Sequence, residues 1–350
     1  MKLLLIGPYP PPHGGISVHV AEAKRQLDQA GIPCGVLNLD RRAPESPEYI
    51  RFDTRLKMLR ILFRHAREGW TFHLHTNGHN DKSWMIALMC GLAGRKAPAR
   101  VLTIHSGMAP AYLNRNGWRR YLCRFACRQY SRIIAVNHQI RETLIAIGAS
   151  SSLLEELPAY LDAAPTNALP PPVRDLLVGA KPLLTTVLFY RPEYAFDLLV
   201  NAIAKLQRRF PFVRCLVMGS GEQRREAEDI VKQKGLERAV KLIGDVSHDV
   251  CLGLIARSDA FVRATLNDGD SISVREALAL GVPTVVSNVG ARPSGAILFE
   301  PGNLTDLTTK LEACLLLKDS KDRVPPTQVS GGAHRLIEIY RRAYMPGAQA

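Results

Sequence analysis

Asp268 and Glu276 stand eight residues apart within the stretch 264–288, ATLNDGDSISVREALALGVPTVVSN. A loop of Asn267, Asp268, Gly269 and Asp270 leads into a helical pattern over Ser271 to Leu280, which Gly281 closes and Pro283 follows. The first backbone N–H groups of such a helix lack intrahelical partners, and with the helix dipole they favour an anion, commonly a phosphate. That places Gly269, Asp270, Ser271 and Ile272 beside the anion, and Gly269 lets the backbone come close to it. Asp268 can approach the same ligand from the loop while Glu276 approaches from the helix. A phosphate flanked by two carboxylates that seek hydroxyls suits a nucleotide sugar. An acidic helix cap followed by an ordinary surface Glu would have the same spacing.

The surrounding elements bear on this. An apolar run, Ala260 to Val262, precedes the loop, and a second, Pro283 to Val286, follows the helix. Strand, loop, helix, stop and strand form a βαβ unit of a parallel sheet, whose ligands bind at the carboxyl ends of the strands. The run D-G-D-S-I-S-V-R-E-A-L-A-L-G-V-P-T-V-V-S resembles the E-x7-E signature of retaining GT-B enzymes of glycosyltransferase family 4, roughly E-G-F-G-x-x-x-x-E-A-x-A-x-G-x-P-V-V. The small residues, the glycine stop and the proline match as well. The resemblance implies that Glu276 holds the ribose hydroxyls and that Asp268, one methylene shorter than the usual Glu, faces the sugar hydroxyls as a catalytic-site residue.

Other motifs fit the same family in order along the chain. Lys2 to Gly7 is a first strand, and the rigid loop after it ends in Gly14-Gly15 before a helical pattern with Ile16, Val20, Ala23 and Leu27 on one face. This is similar to the family's P-P-x-G-G loop, which implies that Gly14 and Gly15 meet the donor diphosphate or the acceptor. Phe72 to His79 ends a strand with three histidines, of which His73 and His75 point the same way. No carboxylate follows at a metal-ligand spacing, so the run reads as a polar crevice and no metal site is expected. A strand over Ala99 to His105 ends where family members carry a histidine near the reacting sugar, and that role carries to His105. Leu183 to Tyr190 opens a second sheet. Arg191 stands for the arginine of the family's G-R-x…K-G diphosphate grip, whereas Tyr194 stands where its lysine is expected. A phenol donates one hydrogen bond but brings no charge. Gly219 lies in a G-x-G turn that the family places beside the nucleotide, and Val246 falls at the turn expected to meet the base.

The resemblance implies an α/β GT-B fold of two facing Rossmann-like domains with an interdomain cleft. The expected division is residues 1–162 for the acceptor side, a linker over 163–182 that contains AAPTNALPPP, 183–330 for the nucleotide sugar, and a final helix within 331–350 that crosses back to the first domain. Strands are expected over Arg132 to Asn137 and Glu156 to Tyr160. The implied chemistry is hexosyl transfer with retention, without metal or cofactor.

The 350-residue chain carries a net charge of +14, and 22 Lys/Arg against 12 Asp/Glu fall in residues 1–165. Nucleic acid, an anionic membrane and an anionic substrate are the candidate partners. Arg55, Lys57, Arg60, Arg64 and Arg67 alternate with Leu56, Leu59, Leu62, Phe63 and Ala66. Arg120, Arg124, Arg128 and Arg132 recur at every fourth residue, and Trp118, Tyr121, Leu122 and Phe125 are expected on the apolar, core-facing stripe. A solvated basic face accounts for these stretches equally well; docking on an anionic membrane is the functional reading. No nucleic-acid motif occurs. Seven scattered cysteines form no disulfide framework, and MKLLLIG is too short for a signal peptide. A cytoplasmic protein, peripheral at the inner face of the membrane, is expected. Its partners would be a nucleotide-sugar donor, chiefly of UDP, and a saccharide acceptor carried on a lipid such as a polyprenyl diphosphate. A non-catalytic sugar-nucleotide-binding scaffold and a GT-B nucleotide-sugar epimerase are the alternatives.

Overall fold

The computed structural model describes residues 1–114, 117–158, 168–316 and 332–344. They form two compact units, one of Met1–Pro11, Gly15–Leu161 and Ser330–Ala350, the other of Pro12–Gly14 and Asp162–Val329. Each unit holds one six-stranded sheet, parallel throughout.

In the first unit the strands are β1 (Lys2–Gly7), β2 (Cys34–Asn38), β3 (Trp70–Thr76), β4 (Arg100–Ile104), β5 (Arg132–Ala135) and β6 (Leu154–Glu156), in the order β2-β1-β3-β4-β5-β6. Ile50 adds an isolated parallel bridge to Leu37 outside β2. Counting that bridge as a vestigial strand gives the doubly wound order 3-2-1-4-5-6 with a seventh strand at the far edge. The helices are α1 (Gly15–Gln29), α2 (Arg55–Arg67), α3 (Asp81–Ala93), α4 (Ala109–Leu113), α5 (Trp118–Cys127) and α6 (His138–Ala146). β1, β4 and β5 are largely apolar because both sheet faces are covered, whereas β3 buries His73 and His75. One core lies beneath α2, α3 and α5, the other beneath α1. The C-terminal helix Gly332–Tyr344 packs into that second core through Leu336, Ile339, Tyr340 and Ala343.

The second unit has α7 (Pro171–Asp175), β7 (Leu183–Val187), α8 (Phe196–Leu206), β8 (Arg214–Met218), α9 (Arg224–Gln233), β9 (Val240–Gly244), α10 (His248–Ile255), β10 (Ala260–Arg263), α11 (Ile272–Ala279), β11 (Thr284–Ser287), β12 (Ile297–Phe299) and α12 (Leu304–Leu316). The sheet order β12-β11-β10-β7-β8-β9 is again doubly wound, and the order reverses between β7 and β10. Ligands of such sheets bind at that reversal, outside the carboxyl ends of the two strands.

Three expectations change. The strand expected over Glu156 to Tyr160 runs earlier, as β6, because Leu154 is the residue that pairs with Ile133; Tyr160 lies outside the described residues. Residues 168–182, expected as linker, carry α7 and pack Leu169, Val173, Leu176, Leu177 and Ala180 against the second unit's core, while 163–167 lie outside the described residues. In α5 the buried residues are Cys123, Ala126 and Cys127, and the aromatics turn outward: Trp118 is 58% exposed, Tyr121 73% and Phe125 46%. The chain must come close to α3 here, since a Cβ added at Gly91 would lie 2.5 Å from the Cβ of Gln129. Small side chains permit that approach and large rings do not. Arg132, counted in the same basic series, opens β5 instead.

All seven cysteines are free, and no described helix is long and apolar enough to cross a membrane.

Candidate functional site

The loops after β7 and β10 are bound to each other. Thr265 Oγ1 donates to the Glu193 carbonyl at 2.8 Å, and Leu266 N donates to the same oxygen at 2.7 Å. Gly219, at the end of β8, closes the other side. Its φ is +129° and a Cβ there would lie 1.8 Å from the Leu188 carbonyl oxygen, so only glycine fits.

Asp268 sits at the centre. Its Oδ2 accepts from Arg263 Nε at 2.6 Å and from Arg292 Nη1 at 3.0 Å; its Oδ1 accepts from Arg263 Nη2 at 3.2 Å and from Gly269 N at 3.1 Å. A carboxylate has about four acceptor positions, and all four are taken. The sugar-facing role expected of Asp268 therefore lacks an open lone pair in this arrangement. Burial alone would raise the Asp268 carboxyl, but Arg263 and Arg292 together hold it below the usual carboxylate range. Arg263 also donates to the Val187 carbonyl at 3.0 Å, and Arg292 Nε to the Ser287 carbonyl at 2.8 Å. Arg292 Nη2 is buried without a partner.

Two arginines on one carboxylate leave one positive charge in excess. It lies close to the position where the expected lysine is missing: the Arg263 guanidinium carbon is 5.2 Å from the centre of the Tyr194 ring. Burial pushes the Tyr194 hydroxyl up, so it stays a neutral phenol. Arg191 is exposed, with its guanidinium 5.4 Å from the Phe189 ring. Ala195 takes the left-handed conformation, φ +47°, at the start of α8, where the family pattern has glycine.

Asp270 is fully buried and accepts from Arg275 Nε at 2.7 and 2.9 Å, which fixes the entry to α11. Ser271 occupies the position before that helix with its hydroxyl 3.2 Å from Ser273 Oγ, and Ser271 and Ile272 are buried. Glu276 is buried on α11, and its Oε1 lies 2.5 Å from His248 Nε2. His248 opens α10 two residues after Val246, so the expected base turn and the expected ribose ligand meet. Gly14 belongs to this second unit, where an added Cβ would lie 2.5 Å from the Phe189 ring.

In the first unit Gly15 begins α1 and is exposed. His105 follows β4, and its Nε2 lies 3.2 Å from His75 Nδ1. His73 shares the same sheet face, its ring 3.9 Å from that of His75. Both His73 nitrogens are occupied, Nδ1 by the Tyr340 hydroxyl at 2.6 Å and Nε2 by Thr103 Oγ1 at 2.7 Å.

Arg263, Arg292 and His248 did not emerge from the sequence as site residues. Only Arg263 leaves a signal, as a charge ending an apolar strand.

Comparison with known proteins decides the family. Residues 13–158 match Glycosyltransferase Family 4, and residues 181–316 match Glycosyl transferases group 1. The chain belongs to glycosyltransferase family 4. A phosphatidylinositol N-acetylglucosaminyltransferase subunit from Arabidopsis thaliana is 27% identical over 172 residues, 48% of this chain and 37% of that protein. The matched region is thus well under half the length of that curated relative. Among solved structures, Anabaena HepE in complex with UDP and glucose superposes with a TM-score of 0.65 at 15% identity over the full length of both chains. Sucrose-phosphate synthase from Thermosynechococcus elongatus gives 0.70 at 18% identity, over 99% of this chain and all of that one. The fold of this family-4 chain is GT-B. The matched segments together include every candidate site residue named above.

Proposed function

We propose that the protein is a retaining glycosyltransferase that moves a hexose from a nucleotide-diphosphate sugar, with UDP as the nucleotide, to a saccharide acceptor carried on a lipid. The observation that carries this reading is the buried positive charge of Arg263 and Arg292 around Asp268, at the β7/β10 reversal where a doubly wound sheet binds its ligand. Glycosyl transfer builds negative charge on the departing diphosphate, and a fixed positive group in a water-poor site stabilises it. In this reading Arg263 supplies the charge that Tyr194 does not, and Arg191 adds a second cation from the loop.

Asp268 then serves as a positioning residue for the two guanidiniums. Glu276 holds the ribose, with His248 fixing the carboxylate. In the second unit the backbone of Gly269, Asp270, Ser271 and Ile272, together with Gly14, Gly219 and Val246, contacts the donor; Gly15, in the first unit, is a further donor-binding candidate. His105 orients the sugar. The chemistry needs no metal, since these groups already carry positive charge to the leaving diphosphate. HepE was solved with UDP and with UDP-glucose, which supports the choice of nucleotide.

The membrane reading rests on the first unit. Arg55, Lys57, Arg60, Arg64, Arg67, Arg120, Arg124 and Arg128 are exposed, and so are Leu56, Phe63, Met85, Trp118, Tyr121 and Phe125. Basic and aromatic side chains on neighbouring helices suit the headgroup layer of an anionic bilayer, in keeping with peripheral attachment at its cytoplasmic face and a place in polysaccharide assembly.

The filled coordination of Asp268 also favours a second reading, in which the protein binds the donor without turnover. One experiment tests both: thermal stabilisation by UDP, GDP, ADP and CMP, followed by assay of sugar release. Selective stabilisation by UDP, lost in Glu276→Ala, together with turnover supports the transferase. Stabilisation without turnover across an acceptor panel supports the scaffold, and no stabilisation by any nucleotide refutes both.

A further inference from the structure

Three imidazoles from three elements converge within the first unit. His19 comes from α1, His75 from β3 and His105 from the turn after β4. One nitrogen of each lies within 4.8 Å of the other two. His75 Nδ1 and His105 Nε2 are already 3.2 Å apart, and the His19 ring lies 5.2 Å from the His75 ring and 5.0 Å from that of His105. His19 Nδ1 and His75 Nε2 are buried with no hydrogen-bond partner. An unmade hydrogen bond on a buried nitrogen costs about 1–3 kcal/mol, so His19 Nδ1 has unused ligand capacity; His75 would ligate through Nδ1, the nitrogen next to His105, and not through Nε2.

The three rings pack against one another, and an imidazole nitrogen is a good ligand for transition metals. His73 does not compete, because Tyr340 and Thr103 occupy both its nitrogens; its ring packs against His75 and holds it in place.

We propose that His19, His75 and His105 bind a divalent transition-metal cation of the Zn²⁺ class. Three nitrogen ligands suit Zn²⁺, Cu²⁺, Ni²⁺ or Fe²⁺, whereas Mg²⁺ and Ca²⁺ select oxygen. At Zn–N bonds of about 2.0–2.1 Å, tetrahedral ligands stand roughly 3.4 Å apart. The His75–His105 pair has that spacing, and His19 needs only a side-chain adjustment on the order of 1 Å to join it. Three protein ligands leave a fourth position for water or another ligand. The spacing of His73 and His75 alone does not disclose this site, because the third ligand arrives from α1. Binding is independent of the transferase reading. Its consequence rests on that reading: a cation on His105 would take that residue from the sugar and so inhibit transfer.

The test uses the full chain freed of metal with a chelator and titrated with Zn²⁺ against a chromophoric competitor, without donor or acceptor. Co²⁺ serves as the spectroscopic probe. One Zn²⁺ per chain is expected. Bound Co²⁺ should give intense four-coordinate visible bands and no near-ultraviolet thiolate-to-cobalt band. His19→Ala and His105→Ala should each weaken binding on the order of 100-fold, at or beyond the upper end for losing a mere outer-shell partner. Circular dichroism of the metal-free variants establishes folding, and His19→Gln replaces any alanine variant that does not fold. Absence of stoichiometric binding, a thiolate band, or unchanged affinity in the folded variants would overturn the site. Failure of nucleotide binding leaves this result untouched, so the two readings fail separately.

Discussion

Arg263 and Asp268 form a two-pronged ion pair, Nε to Oδ2 at 2.6 Å and Nη2 to Oδ1 at 3.2 Å, with both side chains about 10% exposed. Arg292 completes it from the other side. Removing the carboxylate strands two guanidiniums. Asp268→Ala should therefore destabilise the second unit by about 3–5 kcal/mol, and adding Arg263→Leu should restore part of the loss. Denaturant unfolding of the single and double variants measures this; a double variant less stable than Asp268→Ala would contradict the coupling.

The same pair sets an acid limit. Asp268 titrates lower in the folded protein than in the unfolded chain. Its stabilisation is then fully present above the unfolded value of about 3.9 and is lost as pH falls through the lower folded value. Tm should drop below about pH 4 in the native protein. In Asp268→Asn that acid slope should be shallower, and an unchanged slope would show that other carboxyls govern it.

Glu276 and His248 should act as a unit. A charged hydrogen bond contributes about 1.5–3 kcal/mol, so Glu276→Ala should weaken nucleotide binding roughly 10- to 150-fold. His248→Ala, acting through the carboxylate, should cost about 2- to 10-fold. Calorimetric titration of the double variant should give little more than the Glu276→Ala loss, because residues in contact are not additive. Full additivity would mean that His248 touches the nucleotide independently.

Ala195 holds a backbone conformation that costs a residue with a Cβ about 1–2 kcal/mol, against about 0.5–1 kcal/mol of entropy for glycine. Ala195→Gly should raise stability by roughly 0.5–1 kcal/mol, visible as a higher Tm. A lower Tm would mean that Ala195 packs more than the backbone suggests.

Co-sedimentation with anionic vesicles should fail when Arg120, Arg124 and Arg128 all become Glu, since each basic residue contributes about 1 kcal/mol near an anionic leaflet. Trp118→Ala with Phe125→Ala should weaken binding that survives high salt. Equal binding to neutral and anionic vesicles would refute the electrostatic part.

Most of the fold was written locally. The apolar runs of β1, β4 and β10, the Gly281 stop and the alternation of strand and helix are patterns within a few residues, and a doubly wound sheet follows from them. The motif from Asp268 to Glu276 was legible for the same reason. What each side chain meets was not. Arg292 lies twenty-four residues from Asp268 and His248 twenty-eight from Glu276, and His19 is brought to His75 and His105 only by the packing of α1 on the sheet. Such partners depend on strand order and register, which no short window contains. Periodicity likewise marked α5 as two-sided, but the close approach of the chain to α3 chose Cys123, Ala126 and Cys127 for the interior and left the aromatics in water. The sequence by itself determined the fold and the place of its ligand loops, because hydrophobic period and turn chemistry are local. Tertiary structure alone decided where the charges go, because a buried charge is placed by whatever it can pair with.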